Sequence, residues 1–327
     1  MPIHNLGYRR WSGTLLPGGT RWMVIAGIGI RRTWQSAWVR RLILMAWAPA
    51  LLMGFLIFMF EQAAQGGDPE TEAVFRNMVQ VLLSGSDVVT AVRQAGLESV
   101  LGSGPMSPEE SRHLFWSSLL MVVLRRTQLT MLVPMVGLIA PPLISQDIRS
   151  RAFLLYFSRP VSRFQYILGK AATLLLFLSL VTLVPAMVLY ITGVLLSPDL
   201  SILQATWDLP LRIFAAAMVI VIPCTSLSLM FSSMTTESRF ASFAWFTLWI
   251  FGYVAAQIVE ASMQLTGGSV RVEMFSMYHL IGDICEWLLN VNTTTSQDIQ
   301  TQIVCLCVVT IVSLAILFRQ VSAPMRI

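Results

Sequence analysis

The side chains that could serve as nucleophiles and bases are few, and their positions do not suit catalysis. The three histidines, His4, His113 and His279, lie outside the long apolar segments of the chain. The sequence contains no HExxH or GxSxG motif, which are signatures of zinc peptidases and serine hydrolases. Ser226 and Ser228 lie within an apolar segment, but no histidine lies at that depth to activate them. Packing and hydrogen bonds to helix backbones explain these serines better.

Motifs for metal and nucleotide binding are also missing from the sequence. The four cysteines are Cys224, Cys285, Cys305 and Cys307. The last two are two residues apart, so on a helix they face different directions and cannot bind one metal ion together. A Walker A motif needs G-x-x-x-x-G-K-[ST], but Gly169-Lys170 is followed by Ala171 and preceded by Phe164 at the first glycine position. We therefore expect no catalytic residue, metal site or cofactor in this chain.

The composition is that of a membrane protein. Of the 327 residues, 55% are hydrophobic and only 12% are charged, whereas roughly a quarter of residues are charged in soluble domains. Arginine carries almost all of the net charge of +5, because Lys170 is the only lysine. A basic chain can bind nucleic acid, but positive charges beside apolar segments are better explained by membrane topology. We expect lipids, and no nucleic acid, as partners.

Six apolar segments are close to the roughly 20 residues that cross a bilayer as a helix. The sequence therefore predicts an all-α polytopic membrane protein with six transmembrane helices. Residues 1–41 are predicted to form a cytoplasmic tail and, over 22–41, an amphipathic helix in the membrane interface, with Trp34 and Trp38 near the headgroups. Residues 42–327 form the six-span domain. Its predicted spans are residues 42–60, 128–145, 171–196, 213–231, 240–263 and 303–318.

The region between the first two predicted spans, residues 61–127, is acidic and is predicted to be a helical extracytoplasmic segment. Its clearest helix start is Ser-Pro-Glu-Glu at residues 107–110, where a capping residue precedes proline at the first helical position. This helix can continue into the second span, which places Arg125 and Arg126 at the outer interface as anchors or headgroup contacts. Whether residues 114–124 also enter the bilayer stays open, because they are too few to cross it alone.

The distribution of basic residues predicts the orientation of the six spans. Most of the 22 Lys and Arg residues lie on the side that holds both termini, and of the 17 acids only Asp147 and Glu237 lie there. Lys and Arg are retained on the cytoplasmic side of membranes. We therefore expect a multi-pass protein of the bacterial plasma membrane with both termini in the cytoplasm.

Residues 144–170 form the most distinctive polar stretch, between the second and third predicted spans. An apolar run, Ala-Phe-Leu-Leu-Tyr-Phe, interrupts its basic residues. The pattern predicts a short amphipathic helix, a break at Ser-Arg-Pro and a second helix start. A short apolar helix on the cytoplasmic face needs a partner, which is either lipid headgroups or another protein. The charged residues of the stretch are Asp147, Arg149, Arg151, Arg159, Arg163 and Lys170.

Residues 138–170 resemble the permease subunits of type-2 ABC exporters, most closely the branch linked to multicopper-enzyme maturation. Members of that branch show an acid followed by small and basic residues, then S-R-P-[IV]-S-R and Y-x-x-G-K. Asp147, residues 158–163 and residues 166–170 match this pattern. The long segment 61–127 differs from compact members of the family.

The resemblance implies that residues 146–170 are a cytoplasmic coupling segment, which docks to a separate ATPase subunit. It also implies that ATP and Mg²⁺ bind in that ATPase, and that two permeases form the pathway between them. The second permease is another copy of this chain or a homologous chain. The implied docking and coupling residues are Asp147, Arg149, Arg151, Leu154, Tyr156, Arg159, Pro160 and Arg163.

A helical wheel drawn over residues 147–157 is consistent with docking. Ile148, Ala152, Leu155 and Tyr156 share one face, while Leu154 lies opposite among polar residues. An apolar side chain on a polar stripe gains little from water or headgroups, so this pattern favours a protein partner. The alternative is a helix lying on lipid with its arginines extended toward the headgroups.

The sequence as a whole predicts a non-enzymatic permease subunit of an ATP-driven exporter. The alternative is a mechanotransmitting subunit, which passes ATP-driven motion to a periplasmic partner through residues 61–127 and moves no solute. A membrane enzyme is a third and weaker hypothesis.

Overall fold

The computed structural model describes residues 18–64, 108–152, 161–197, 203, 206–266, 276–291 and 296–322. Within these ranges the chain is helical and contains no strand. Six stretches are long and apolar enough to cross a membrane, which confirms the predicted all-α polytopic fold. Each predicted span lies inside or overlaps one of them. The stretches are Ala37–Phe60, His113–Arg149, Arg163–Leu196, Leu209–Ser233, Ser238–Val259 and Ile299–Ser322.

The α-helices of the described residues are numbered in chain order. A 3-10 turn precedes α1, and a π-helical turn, Gln128–Leu132, joins α3 to α4. The helices are α1 (Arg21–Trp34), α2 (Ala37–Ala64), α3 (Pro108–Thr127), α4 (Val133–Ile139), α5 (Pro141–Arg149), α6 (Arg163–Val181), α7 (Leu183–Leu196), α8 (Leu209–Ser233), α9 (Ser238–Thr266), α10 (Met277–Leu288) and α11 (Ser296–Ser322).

The six stretches run alternately between two ends of the bundle. One end holds Arg149 and is named the basic end. There Phe164, at the start of α6, stacks on Phe318, near the end of α11. The other end holds Asp208 and is named the acidic end. There Phe60 of α2 stacks on Phe115 of α3, with ring centroids 4.1 Å apart. The two ends therefore present different charged groups to any solvent or partner.

Helix α8 lies at the centre of the bundle. In its most apolar part, 72% of the residues are buried inside the protein. The corresponding fractions are 17% for α9 and 22% for α11, which lie at the periphery. The hydroxyl of Ser226 donates to the carbonyl of Pro223 at 2.9 Å, and that of Ser228 to the carbonyl of Thr225 at 3.2 Å. Both serines thus satisfy backbone groups inside a helix, as their interpretation as packing residues predicts.

The second stretch is unusually long. It runs over 37 residues, or about 55 Å at ~1.5 Å per residue, whereas the hydrocarbon core of a bilayer is about 30 Å thick. Its first helix begins at Pro108, which confirms the predicted helix start. Residues 115–124 are buried in protein rather than exposed to lipid, and Trp116 there makes an edge-on contact with Tyr190. The stretch therefore extends beyond the thickness of a bilayer.

The predicted interfacial helix over residues 22–41 is wrong in its extent. The chain forms two helices, with a break at Gln35 and Ser36. The backbone carbonyl of Ser36 accepts a hydrogen bond from the N–H of Arg40, so Ser36 is the N-cap of α2. Serine is a preferred residue at this position. Trp34 and Trp38 consequently belong to different helices, and the buried face of α1 packs against α6.

Candidate functional site

The C-terminus of α5 forms a tight turn at the base of the predicted coupling segment. Arg151 has a φ of 54°. Its N–H donates to the carbonyl of Ile148, and the N–H of Ala152 donates to that of Asp147 at 2.9 Å. This pair of bonds is the Schellman motif, which ends a helix. The predicted continuous helix over residues 147–157 is therefore wrong, because Ile148 and Ala152 do not lie on one helical face.

Helix α6 begins at a capping box. The hydroxyl of Ser162 accepts from the N–H of Gln165 at 3.2 Å, and the N–H of Ser162 donates to the Gln165 side chain at 3.2 Å. Both bonds satisfy donors that a helix N-terminus otherwise leaves free. The second serine of S-R-P-V-S-R is thus the N-cap of α6, and the predicted second helix start is confirmed.

A buried cluster joins the end of α5 to the start of α6. The hydroxyl of Tyr166 donates to Oδ2 of Asp147 at 2.7 Å, and Nζ of Lys170 lies 2.8 Å from the same oxygen. Tyr166 is fully buried, and the side chains of Lys170 and Asp147 are 10% and 14% exposed. Tyr166 and Lys170 are four residues apart, so successive turns of α6 present them to one carboxylate. The Asp147 carboxylate is directed into the bundle.

Ser232 of α8 fixes the start of α5. Its hydroxyl donates to the carbonyl of Pro141 at 2.6 Å and accepts from the N–H groups of Ile144 and Ser145 at 3.1 and 3.2 Å. The first N–H groups of a helix have no partner within the helix, and here a neighbouring helix supplies one. The central helix therefore sets the position of the short helix that carries Asp147.

The glycine of the Y-x-x-G-K motif allows α1 to approach α6 closely. A Cβ atom at Gly169 would lie 2.7 Å from Cβ of Ile25 and 2.8 Å from the backbone oxygen of Trp22. One turn further along, Gly29 of α1 lies against the Thr173 side chain. The motif thus combines a contact with α5, through its tyrosine and lysine, and a contact with α1, through its glycine.

The arginines that the sequence singles out lie at the surface around this cluster. Arg149 faces Glu237 at 3.4 Å, and Arg151 and Arg163 are exposed. Exposed pairs of this kind contribute at most about 1 kcal/mol to stability, so these arginines are free to serve a partner. Leu154, Tyr156, Arg159 and Pro160 lie outside the described residues.

Sequence reasoning missed the roles of Tyr166, Gly169, Lys170 and Ser232. A signal for Lys170 exists, since it is the only lysine, it begins a long apolar segment and it follows Tyr166 by four residues. Among the basic residues of the stretch, however, it resembles one more surface charge. No comparable signal identifies Ser232, because its partners are 87 to 91 residues away in the chain.

Residues 124–321 match the model of the ABC-2 family transporter protein. The chain belongs to this family. It is accordingly a transmembrane permease component of an ABC transporter, and the cluster around Asp147 lies inside the matched region. No curated protein matches the sequence.

At the acidic end of this ABC-2 permease, Arg125 is held by protein groups. Its guanidinium pairs with Glu286 of α10, its Nε donates to the hydroxyl of Tyr278 at 3.3 Å, and it lies 5.1 Å from that ring centroid. Glu286 is 7% exposed. The expectation that Arg125 anchors to lipid headgroups is therefore wrong, since α10 covers its side chain. The side chain of Arg126 lies outside the described residues.

A second polar cluster at the acidic end surrounds the start of α8. Asp208 accepts hydrogen bonds from Nε2 of His113 at 3.0 Å and from Nε of Arg212 at 2.6 Å, and Arg212 also donates to the carbonyl of Leu288. Burial of Asp208 opposes its ionisation, but these hydrogen bonds outweigh it and lower the pKa of the carboxyl. The cluster joins α3, α8 and α10 at their ends.

The described residues contain no group of three His, Cys, Asp or Glu side chains that could hold a metal ion. Burial raises the pKa of the Cys285 thiol to about 12, and its sulfur lies 3.7 Å from the carbonyl of Ala216. A thiol that stays protonated is a poor nucleophile and a poor metal ligand. In this part of the chain, Cys285 has the environment of a packing residue.

Proposed function

We propose that this chain is the permease subunit of an ATP-driven exporter and that residues 146–170 dock to a separate cytoplasmic ATPase. The buried contact of Asp147 with Tyr166 and Lys170 carries this proposal. It joins two membrane-crossing stretches at the base of the segment that resembles a coupling segment. A segment with this attachment can transmit force from a partner to both stretches.

The proposed assembly contains two permeases and two ATPases in the bacterial plasma membrane. ATP and Mg²⁺ bind in the ATPase, and closure of the ATPase pair switches the permease pair between inward-facing and outward-facing states. This chain supplies the docking segment and the pathway, and no catalytic residue. The branch linked to multicopper-enzyme maturation stays a prediction based on the motif at residues 158–170.

The proposed docking surface combines apolar and basic side chains. Leu154 and Tyr156 provide the apolar contacts, and Arg149, Arg151 and Arg163 lie at both edges of the segment. Exposed arginines at the rim of an interface accelerate association with an acidic partner. The roles of Arg159 and Pro160 stay predictions from the sequence, in which the proline sets the angle at which the segment meets α6. Asp147 acts from inside, by holding the ends of the segment.

The orientation of the chain can be tested by labelling single cysteines from each side. In a variant that lacks the four native cysteines, we expect Arg149→Cys to react with an impermeant maleimide only from the cytoplasm. The Arg149 side chain is 67% exposed, so a thiol there is accessible. Glu98→Cys, in the acidic segment, should react only from outside. Reaction of both thiols from the same side would contradict the six-span topology.

Docking can be tested with Leu154→Asp. Burying a leucine contributes about 1.5–3 kcal/mol, so its loss should weaken ATPase binding roughly tenfold to a hundredfold. The measurement is co-purification of the ATPase at matched permease levels in the membrane. Met234→Asp is the control, because Met234 is 58% exposed at the basic end but lies outside the segment. Full retention of the ATPase by Leu154→Asp would remove Leu154 from the interface.

Mechanotransmission without transport is a second candidate, favoured by the length of the His113–Arg149 stretch. This stretch exceeds the thickness of a bilayer and could carry motion beyond the membrane. Purified complex in vesicles distinguishes the two functions. ATP-dependent movement of a solute supports export, whereas ATPase turnover that responds only to a periplasmic protein supports mechanotransmission.

A further inference from the structure

We infer that Asp147, Tyr166 and Lys170 are positioning residues that make the two ends of the coupling segment move as one body. The inference rests on the proposed function and deepens it, because it assigns how motion enters the membrane domain. None of the three residues needs to touch the ATPase. Their effect is on the segment that does.

The buried contact joins the two ends of the coupling segment. Asp147 lies two residues before the end of α5, and Tyr166 lies 19 residues later, near the start of α6. Both the Tyr166 hydroxyl and the Lys170 ammonium reach the same oxygen, Oδ2 of Asp147, at 2.7 and 2.8 Å. The part of the chain between Asp147 and Tyr166 therefore begins and ends at one buried contact.

The contact is directional as well as strong. A charge pair that is largely removed from water is costly to separate, because each partner would be left as an unpaired buried charge. The Tyr166 hydroxyl adds a hydrogen bond, which restricts the orientation of the carboxylate. Apolar packing, by comparison, is non-directional. The polar cluster fixes the relative position of α5 and α6.

Helix α1 extends the same unit on a third side. Its residue Arg32 donates to Gln146, the neighbour of Asp147, and its backbone at Trp22 lies against Gly169, the neighbour of Lys170. The exposed Arg149–Glu237 pair is not part of the buried cluster and is open to solvent. A displacement of the coupling segment is thus transmitted together to α1, α5 and α6, which continue into three parts of the bundle.

The test uses the permease–ATPase complex in lipid nanodiscs with pairs of spin labels. One pair, Ser150→Cys with Phe164→Cys, reports the distance between the two ends of the segment. A second pair, Leu195→Cys with Leu211→Cys, reports motion at the acidic end, where both leucines are exposed. The altered permease carries Asp147→Asn with Lys170→Met, which removes both charges and leaves no unpaired one.

In the wild type we expect a narrow Ser150–Phe164 distance distribution that ATP does not change, together with an ATP-dependent shift at the acidic end. In Asp147→Asn/Lys170→Met we expect the first distribution to broaden and the ATP-dependent shift to be lost, with ATPase co-purification unchanged. Glu237→Gln is the matched control and should behave as wild type. An altered permease that keeps both the narrow distribution and the shift would overturn the inference.

The exchanged pair Asp147→Lys/Lys170→Asp provides a second variant if the neutral variant does not fold. It should restore folding and the narrow distribution, because it restores the ion pair. A folded exchanged variant with a broad distribution would also overturn the inference. Failure of the proposed function gives a different result, in which wild-type permease retains no ATPase. The Ser150–Phe164 distance distribution then still tests the cluster, because it can also be measured on the permease alone, where the same broadening is expected in Asp147→Asn/Lys170→Met.

Discussion

Replacing Glu286 by alanine is expected to destabilise the permease by about 3–5 kcal/mol, a large fraction of the free energy that keeps a typical domain folded. The substitution leaves Arg125 beneath α10 without its counter-ion. The contact with Tyr278 is too weak to replace a carboxylate, since an aromatic ring typically attracts a partly desolvated cation by only about 2 kcal/mol. Thermal unfolding in detergent, followed by tryptophan fluorescence, measures the loss.

The matched control removes both charges at once. Arg125→Leu with Glu286→Leu should be much closer to the wild type, because an apolar pair in place of a buried ion pair is often neutral or stabilising. Comparison of the three proteins separates the cost of an unpaired charge from the cost of altered packing. Wild-type thermal stability in Glu286→Ala would show that Arg125 is not held by this pair.

Replacing Gly169 by alanine is expected to detach α1 from α6. The new methyl group would lie 2.8 Å from a backbone oxygen of Trp22 and 2.7 Å from Cβ of Ile25, and a backbone atom cannot rotate away. Overpacking of this kind costs about 1–3 kcal/mol. Detachment can be measured by maleimide labelling of Ala26→Cys, since Ala26 is 5% exposed on the face that packs against α6.

Gly27 supplies the control for this experiment on the same helix pair. A Cβ atom at Gly27 has nothing within 4 Å, so Gly27→Ala should keep α1 in place. It should even stabilise α1 by up to about 1 kcal/mol, because alanine favours a helix interior more than glycine does. Equal labelling of Ala26→Cys in the wild-type, Gly169→Ala and Gly27→Ala backgrounds would rule out the close contact as the determinant of docking.

The fold could largely be predicted from the sequence because hydrocarbon imposes a simple rule on the chain. A segment that crosses it must be long, apolar and helical, and these properties are visible in composition alone. The start of α3 at Pro108 was predictable for a similar reason, since capping and proline placement act locally. Boundaries were less accurate where a local break intervened, as at Ser36.

The interior of the candidate site could not be predicted because it depends on distant contacts. The helical wheel assumes a continuous helix, but Arg151 adopts a left-handed conformation that ends α5, a choice that pattern alone does not indicate. The pattern places Asp147 among surface residues because its partners, Tyr166 and Lys170, are 19 and 23 residues further along the chain. Arg125 and Glu286 are 161 residues apart, so only the packing of α10 brings them together.

Two buried ion pairs, Arg125–Glu286 and Asp147–Lys170, involve the same long helical stretch. The π-helical turn at Gln128–Leu132 sets the angle about the helix axis between Arg125 and Asp147. It lies between Arg125 and Asp147 on one helical stretch, and a π turn holds one residue more than the regular helix around it. Each residue of an α-helix turns the chain by about 100°, so loss of that extra residue would rotate one pair away from its partner while keeping the other. The number of residues between Arg125 and Asp147 therefore determines whether both side chains can face their partners at the same time.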